Sequence, residues 1–147
     1  MAGKQFELEQ VLKYRREIER MRKLEFADAK KELDHAHDKL NEEENATADT
    51  AEQFIKCQSE ISNIEEMRRY ADFFAKKRED IKRQKVRVEQ LGVVLDERRE
   101  TLIDATKDKK VLETMKEKKA REFRIGMEQK EQAFMDEISV QKKDKEK

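Results

Sequence analysis

A hydrophobic residue recurs at every seventh position across the middle of the chain, and this repeat restricts the fold more than any other feature. The repeat consists of Met67, Phe74, Ile81, Val88, Leu95 and Leu102. Leu91, Ala105 and Leu112 occupy the alternate positions, as in a two-stranded coiled coil. The 147 residues contain no proline, so none of them forces a helix to break. The pattern therefore predicts long helices that bury one narrow apolar stripe.

The composition fits helices better than a layered globular domain. Hydrophobic residues make up 35% and charged residues 48% of the chain, against about 45–50% and about 25% in an average domain. Such a chain has too little apolar material for a thick core but enough for one stripe. Three glycines and no proline are too few for the turns of a strand-rich fold. The predicted fold class is all-α.

The charges balance, with 35 basic and 35 acidic residues. A nucleic-acid-binding protein usually has a basic excess or patch, whereas here both signs alternate along the predicted helices. No apolar run approaches the roughly 20 residues that span a bilayer, and the first residues lack the apolar segment of a signal peptide. Cys57 is the only cysteine, so no disulfide can form within the chain. We expect a cytoplasmic protein.

The first helix is predicted to cover about residues 6–57. Its opening apolar residues lie three and four apart and form one stripe, namely Leu8, Val11, Ile18 and Met21 with Tyr14 between them. After a phase slip of about one residue, the stripe continues through Phe26, Ala29, Leu33, Ala36 and Leu40.

The chain is predicted to reverse direction at about residues 58–63, and residues 45–49 are the rival position. Apolar periodicity lapses near both places. A capping-box pattern marks the end of each of them, Thr50 with Gln53 and Ser62 with Glu65. The second helix is predicted at about 64–141, with residues 1–5 frayed and a disordered tail after 141.

These lengths predict an antiparallel two-helix coiled-coil hairpin with a longer, protruding C-terminal helix. Pairing would extend from Phe6 to about Lys119, and the whole chain (1–147) would form a single elongated domain. A parallel homodimer is the alternative. It is less favoured, because a continuous parallel coiled coil does not need a break and a new cap in its middle. We expect a monomer when the protein is free.

The sequence contains no recognisable catalytic, cofactor-binding or metal-binding motif. His35 and His37 are two residues apart, so on a helix they point in different directions and do not form a metal pair. Cys57 has no neighbouring histidine. A two-helix hairpin also offers no deep pocket in which to shift a pKa. We therefore predict that the protein is not an enzyme and has no cofactor or metal.

Apolar residues outside the paired seam are candidate partner contacts. Tyr70 and Phe73 lie beside the seam residue Phe74, just after the predicted turn; docking and local packing over the turn are both open interpretations. Phe123, Met127, Phe134 and Ile138 lie on the protruding helix, where no opposing helix is expected. Exposed apolar side chains on a protruding helix favour a protein partner. Gly126 lies among them, either for close contact or as a tolerated irregularity.

The chain resembles the flagellar export protein FliJ family, most densely toward its C-terminus. The resemblance is carried by Leu102-Ile-Asp-Ala105, Lys109-Lys-Val-Leu112-Glu113, Lys116-Glu-Lys118, Glu131-Gln132 and Met135-Asp136-Glu137-Ile138. The opening Phe6-x-Leu8-x-x-Val11-Leu12 and the run from Tyr70 to Phe73 fit the same family. The resemblance spans nearly the whole chain and is sparse in the middle.

The resemblance implies a non-catalytic part of the flagellar type III export apparatus, similar to the central stalk of rotary ATPases. Such a protein binds the export ATPase FliI, promotes its hexamer and its hydrolysis, and contacts the export gate protein FlhA and export chaperones. It works in the cytoplasm, peripherally at the inner membrane at the flagellar base, without inserting into the membrane.

Carried over by position, the resemblance implies two contact surfaces. The gate-facing surface near the tip would contain Tyr70, Phe73, Lys77, Asp80 and Gln84. The surface for the ATPase ring, at the terminal end, would contain Phe123, Met127, Phe134, Asp136, Glu137 and Ile138. Lys77 and Asp80 depart from the apolar character that a gate contact would favour.

Two other classes of function compete with this one. A structural coiled-coil spacer or scaffold would have the same repeat without an ATPase partner, and would be a dimer or filament. A coiled-coil arm for nucleic acid would need a basic surface, which a net charge of zero does not favour.

Overall fold

A computed structural model describes residues 6–146 as two long helices. Helix α1 spans Glu9–Cys57 and helix α2 spans Ile64–Glu146. The described residues contain no strand. The two helices pack antiparallel to each other, as the interhelical pairs described below show. The predicted all-α hairpin is therefore confirmed.

The internal contacts divide the chain into two compact units. The first contains the chain up to Arg20 together with the chain from Ile103 onward, and the second contains Met21–Leu102. Each unit therefore consists of a segment of α1 packed on a segment of α2. The single elongated domain expected from the sequence stays a prediction, and so does the fraying of residues 1–5, which lie outside the described residues.

The second unit is held together by small and apolar side chains. Ala29 and Ala36 of α1 are buried, as are Leu91 and Leu95 of α2. The alanines let the two helices approach closely. Gln84 is also buried, and its Nε2 donates a hydrogen bond to the carbonyl oxygen of Ala36 at 3.0 Å. This bond satisfies a buried polar group and links the two helices at one register.

The first unit is held together largely by charged residues. Its buried apolar side chains are Leu12 and Ala105. Between them lies an ion pair, in which Lys109 Nζ is 3.0 Å from Glu19 Oε2, and the side chains are only 19% and 7% exposed. Outside this pair, α1 and α2 are joined by Arg15–Asp108 at 3.3 Å, Arg16–Glu113 at 3.6 Å and Glu9–Lys116 at 2.9 Å. The bond from Lys116 also holds the pKa of the Glu9 carboxyl below its usual range.

The predicted apolar stripe at the start of α1 is wrong in its phase. Val11, Tyr14 and Met21 are 40%, 60% and 45% exposed, whereas Leu12 is fully buried. Glu19, seven residues after Leu12, is the next buried position, because Lys109 neutralises it there. The stripe therefore needs no phase slip before Phe26. Reading apolar residues alone placed it on the neighbouring face.

The two helices are joined by residues 58–63. Amides of Glu60 and Ile61 donate to the carbonyl oxygen of Cys57, at 3.0 and 3.1 Å, and so close the end of α1. At the start of α2, Asn63 Oδ1 accepts a hydrogen bond from the amide of Glu65 at 2.9 Å. Asn63 is therefore the N-cap, in place of the predicted box between Ser62 and Glu65.

Helix α1 is continuous through the stretch 41–50, where the apolar periodicity lapses. The hydroxyl of Thr47 donates to the carbonyl oxygen of Glu43 at 2.8 Å, and that of Thr50 donates to Ala46 at 3.0 Å. Both threonines therefore bond within the helix, and Thr50 does not form the predicted cap. At the other end of the chain, α2 continues to Glu146, past the end predicted at about 141. Lys143 and Lys145 in its last turn stabilise this end through the helix dipole.

Candidate partner-binding surfaces

Four aromatic side chains meet next to the turn, and we call them the aromatic cluster: Phe54, Tyr70, Phe73 and Phe74. The ring of Phe54 on α1 lies 5.0 Å from that of Tyr70 and 6.1 Å from that of Phe74 on α2. Phe73 packs edge-on against Phe74 at 5.7 Å. All four are half-buried. Local packing over the turn therefore accounts for much of the surface of Tyr70, and each ring keeps an exposed part that a partner can touch.

The residues carried over as gate-facing do not form one open face. Phe73 and Lys77 remain together, because the Lys77 ammonium lies 5.8 Å from the centre of the Phe73 ring. Lys77 and Asp80 are half-buried. Gln84 is buried and bonded to Ala36, which counts against it as a partner contact. The part of this surface that remains available is formed by Tyr70, Phe73, Lys77 and Asp80.

Residues 117–146 of α2 form the second surface, which we call the C-terminal extension. All of them are exposed except Gly126, which is half-exposed. In the described part of the chain, α1 begins at Glu9, which already pairs with Lys116. The extension therefore continues past the point where the described part of α1 can cover it.

The apolar residues of the extension form one line along the helix. Phe123 and Met127 recur eleven residues later as Phe134 and Ile138, a spacing of about 3.67 residues per turn, which is close to the 3.6 of a straight helix and so keeps them near one face. Phe123, Met127 and Phe134 each lie eighteen residues, or about five turns, after Ala105, Lys109 and Lys116. Those three earlier residues are buried or half-buried and lie on the face that α1 covers. The line is thus the uncovered continuation of the paired face.

The exposure of this line is large for apolar side chains of this size. Phe123 is 48% and Phe134 62% exposed. Asp136 and Glu137 are exposed as well, and Asp136 Oδ1 accepts a hydrogen bond from Gln132 Nε2 at 3.2 Å. An apolar line bordered by charged side chains is typical of a helix that binds in a partner's groove.

Further apolar residues are exposed whose exposure the sequence pattern did not predict. Val11 and Tyr14 of α1, with Val111 and Met115 of α2, are exposed in the first unit. Val11 lies one turn before Arg15 and Val111 one turn after Asp108, and the ion pair between Arg15 and Asp108 joins the two helices. The spacing of Val11 and Tyr14 predicted that they pack against α2, but the neighbouring face of α1 packs there. Ile125, Met135 and Val140 are exposed in the extension too.

The residues considered for chemistry are dispersed. His35 and His37 are both exposed on α1, and no three His, Cys, Asp or Glu side chains of residues 6–146 come together as metal ligands would. Cys57 is a free, half-buried thiol at the end of α1. Neither described helix contains a segment apolar enough to cross a bilayer.

Replacing Gly126 with alanine is expected to stabilise the extension. A Cβ atom built there meets no other atom within 4 Å, and alanine favours a helix over glycine by about 1 kcal/mol. Amide hydrogen exchange around residue 126 should slow by about fivefold. Gly92→Ala is the matched control in the paired part of α2, since the space around it is equally open.

Two results would separate the interpretations of Gly126. Faster exchange in the alanine variant would show that the helix does not tolerate a side chain at residue 126. A more stable helix that binds its partner less tightly would show that Gly126 serves close approach.

The chain matches the family described as Flagellar FliJ protein over residues 4–146. Comparisons with curated proteins and with solved structures found no significant match. The family match covers both helices and the extension, so it includes each candidate surface described above.

Proposed function

Since this chain belongs to the Flagellar FliJ protein family, and so is a component of the flagellar export apparatus, we propose that its C-terminal extension binds the export ATPase FliI. On this proposal the bound extension promotes the ATPase hexamer and raises its rate of hydrolysis. The protein itself contributes no catalytic group, in keeping with a non-catalytic family.

The apolar line of the extension is the observation that supports this proposal. Phe123, Met127, Phe134 and Ile138 lie on the face that α1 covers in the paired part of α2, and they are exposed. A helix face of this kind gains free energy when a partner removes it from water, at about 25 cal/mol per Å² of apolar surface. The central opening of an ATPase ring would surround such a helix on several sides.

A charged surface lies next to the extension, on the paired helices of the first unit. Arg15–Asp108 and Arg16–Glu113 lie on its exterior, with side chains 37% to 54% exposed. Charges at the rim of an interface mainly steer association and fix orientation. Asp136 and Glu137, on the extension itself, would act in the same way toward basic side chains of the ring.

The contact with the export gate protein FlhA is proposed at the aromatic cluster. Phe73 and Lys77 offer a half-exposed ring with an ammonium above it, and Tyr70 adds a second ring. Gln84 is the least suitable of the residues carried over, because its side chain is already bonded inside the hairpin. Export chaperones are proposed as further partners, and the protein would act peripherally at the cytoplasmic face of the inner membrane.

The test is ATP hydrolysis by the cognate export ATPase, titrated with this protein. We expect a saturable rise in rate with the full chain. Deleting the residues after Lys119 should remove most of the rise, because it removes the apolar line. The double variant Phe123→Ser/Phe134→Ser should shift the half-saturating concentration upward by about tenfold or more, as expected when two aromatic anchors are lost.

Ile55→Ser is the matched control, since Ile55 is an apolar residue of α1 that is 71% exposed and distant in sequence from the extension. Its titration should equal that of the unaltered protein. Binding without any rise in rate would favour a role as an escort or a gate contact. Neither binding nor a rise would contradict the ATPase proposal.

A further inference from the structure

A groove opens between the helices of the second unit, and it shares Phe74 with the aromatic cluster. It has a volume of about 420 Å³ and is lined by Thr47, Phe74, Arg78, Ile81, Lys82 and Lys85. Its apolar lining comes mainly from Phe74 and Ile81, and three cationic side chains stand around it. None of these residues except Phe74 belongs to a surface described so far.

The groove exists because one small residue interrupts the apolar series of α1. Phe26, Leu33, Leu40 and Phe54 recur at intervals of seven and are half-buried against α2, but the position between Leu40 and Phe54 is Thr47. Its hydroxyl bonds to Glu43 within α1, and its side chain is too small to fill the space beside Phe74 and Ile81. Apolar surface thus remains without an opposing side chain.

The cations around the groove are largely unneutralised. Lys85 has one distant partner, Glu44 at 3.9 Å. Among residues 6–146, neither Arg78 nor Lys82 forms an ion pair. They belong to residues 76–87, where seven basic side chains accompany two acidic ones, so this segment has a net charge of +5. The zero net charge of the whole chain concealed this basic segment.

We infer that this groove is a docking site for an acidic amphipathic helix of a partner protein, one of whose apolar side chains fills the space beside Phe74 and Ile81. Carboxylates one turn before and one turn after that side chain would reach Arg78, Lys82 and Lys85, which lie on one face at spacings of four and three. An apolar centre with a charged rim is the usual anatomy of a protein interface. The inference does not rest on the proposed ATPase contact.

The apolar lining decides between this partner and other anionic ones. A phosphate backbone or a lipid headgroup would use the cations but would leave Phe74 and Ile81 without a contact. An acidic helix with one buried apolar side chain uses both. The filled groove would also complete the apolar series that Thr47 interrupts.

The probe is a short, capped, fluorescent helical peptide with a central Leu and Glu one turn on either side, added to the full-length protein. Fluorescence anisotropy should show saturable binding that weakens as sodium chloride is raised. Arg78→Gln/Lys82→Gln should weaken binding by about tenfold. Thr47→Leu should abolish it, because the leucine fills the groove from α1. A peptide with Ser in place of the central Leu should bind more weakly.

Matched controls separate docking from general attraction. Lys76→Gln/Arg83→Gln removes the same charge from residues that do not line the groove, and Ala48→Leu adds a leucine at an exposed position of α1. Both should bind the probe nearly as well as the unaltered protein, and circular dichroism should show that every variant remains helical.

Three results would overturn the inference. One is equal weakening by the two double-glutamine variants, and another is unchanged binding by Thr47→Leu. The third is groove-dependent binding to vesicles of phosphatidylcholine and phosphatidylserine without any binding to the peptide, which would assign the groove to lipid.

Discussion

Leu95→Asp is expected to remove most of the stability of the second unit. Leu95 is buried between the helices together with Leu91. The substitution leaves a cavity and places a carboxylate at a buried position of the interface. Removing a buried leucine side chain alone costs about 2–5 kcal/mol, and an unpaired charge adds to that cost. We therefore expect a loss of about 4 kcal/mol or more. This is a large part of the roughly 5–15 kcal/mol by which a small domain is stable.

Urea denaturation followed by circular dichroism at the helical minimum measures this loss. Val93→Asp is the matched control, because Val93 lies two residues away on the same helix and is 56% exposed. Its free energy of unfolding should change by less than about 1 kcal/mol. Equal midpoints for Leu95→Asp and Val93→Asp would show that the seam does not pass through Leu95.

Glu19→Ala is expected to destabilise the first unit by about 2–4 kcal/mol. The Lys109 ammonium lies 3.0 Å from Glu19 Oε2 in a part of the interface that is nearly closed to water. Without the carboxylate, Lys109 would be left as a partly buried, unpaired charge, which is much more costly than losing a surface pair. Hydrogen exchange of amides near Leu12 and Ala105 reports this unit specifically.

The double variant Glu19→Leu/Lys109→Leu should recover the stability, since a well-packed apolar pair often equals or exceeds a buried ion pair. We expect its free energy of unfolding to equal or exceed that of the unaltered protein. In that case the ion pair acts mainly to fix the register of the helices. The double variant, which lacks the pair, should then self-associate more readily than the unaltered protein.

Arg15→Ala is the control for these variants. Arg15 and Asp108 form a pair of similar length, but their side chains are 40% and 54% exposed. A pair in water contributes less than about 1 kcal/mol. If Glu19→Ala costs no more than Arg15→Ala, the buried pair is not important for the stability of this unit.

The periodicity of the sequence was enough to predict the helices and their antiparallel pairing. The apolar residues at every seventh position, with Leu95 and Leu91 at the centre, require a partner helix, and the absence of proline allows long helices. The exposed line on the extension was also readable, because Phe123, Met127, Phe134 and Ile138 lie where no partner segment is left. These features depend on spacing along one helix, which the sequence contains in full.

Which polar residues belong to the interface depends on how the two helices pack. Glu19 and Gln84 look like surface residues in the sequence, and each is buried because a specific partner across the interface, Lys109 or the carbonyl of Ala36, satisfies it. The cost of burying a polar group depends on that partner. A partner across the interface is set by the register of two helices, and no local pattern encodes it.

The same reason explains the remaining differences. Val11 and Tyr14 are as apolar as seam residues, but the register that buries Leu12 and pairs Glu19 turns them outward. Thr47 bonds within its own helix, and only the helix opposite, with Phe74 and Ile81, reveals the groove beside it. The spacing of apolar residues along the chain is thus enough to predict the helices and, in outline, the face that each one buries. The packing of one helix on the other determines which side chains the buried face contains, because the burial of a side chain depends on both helices.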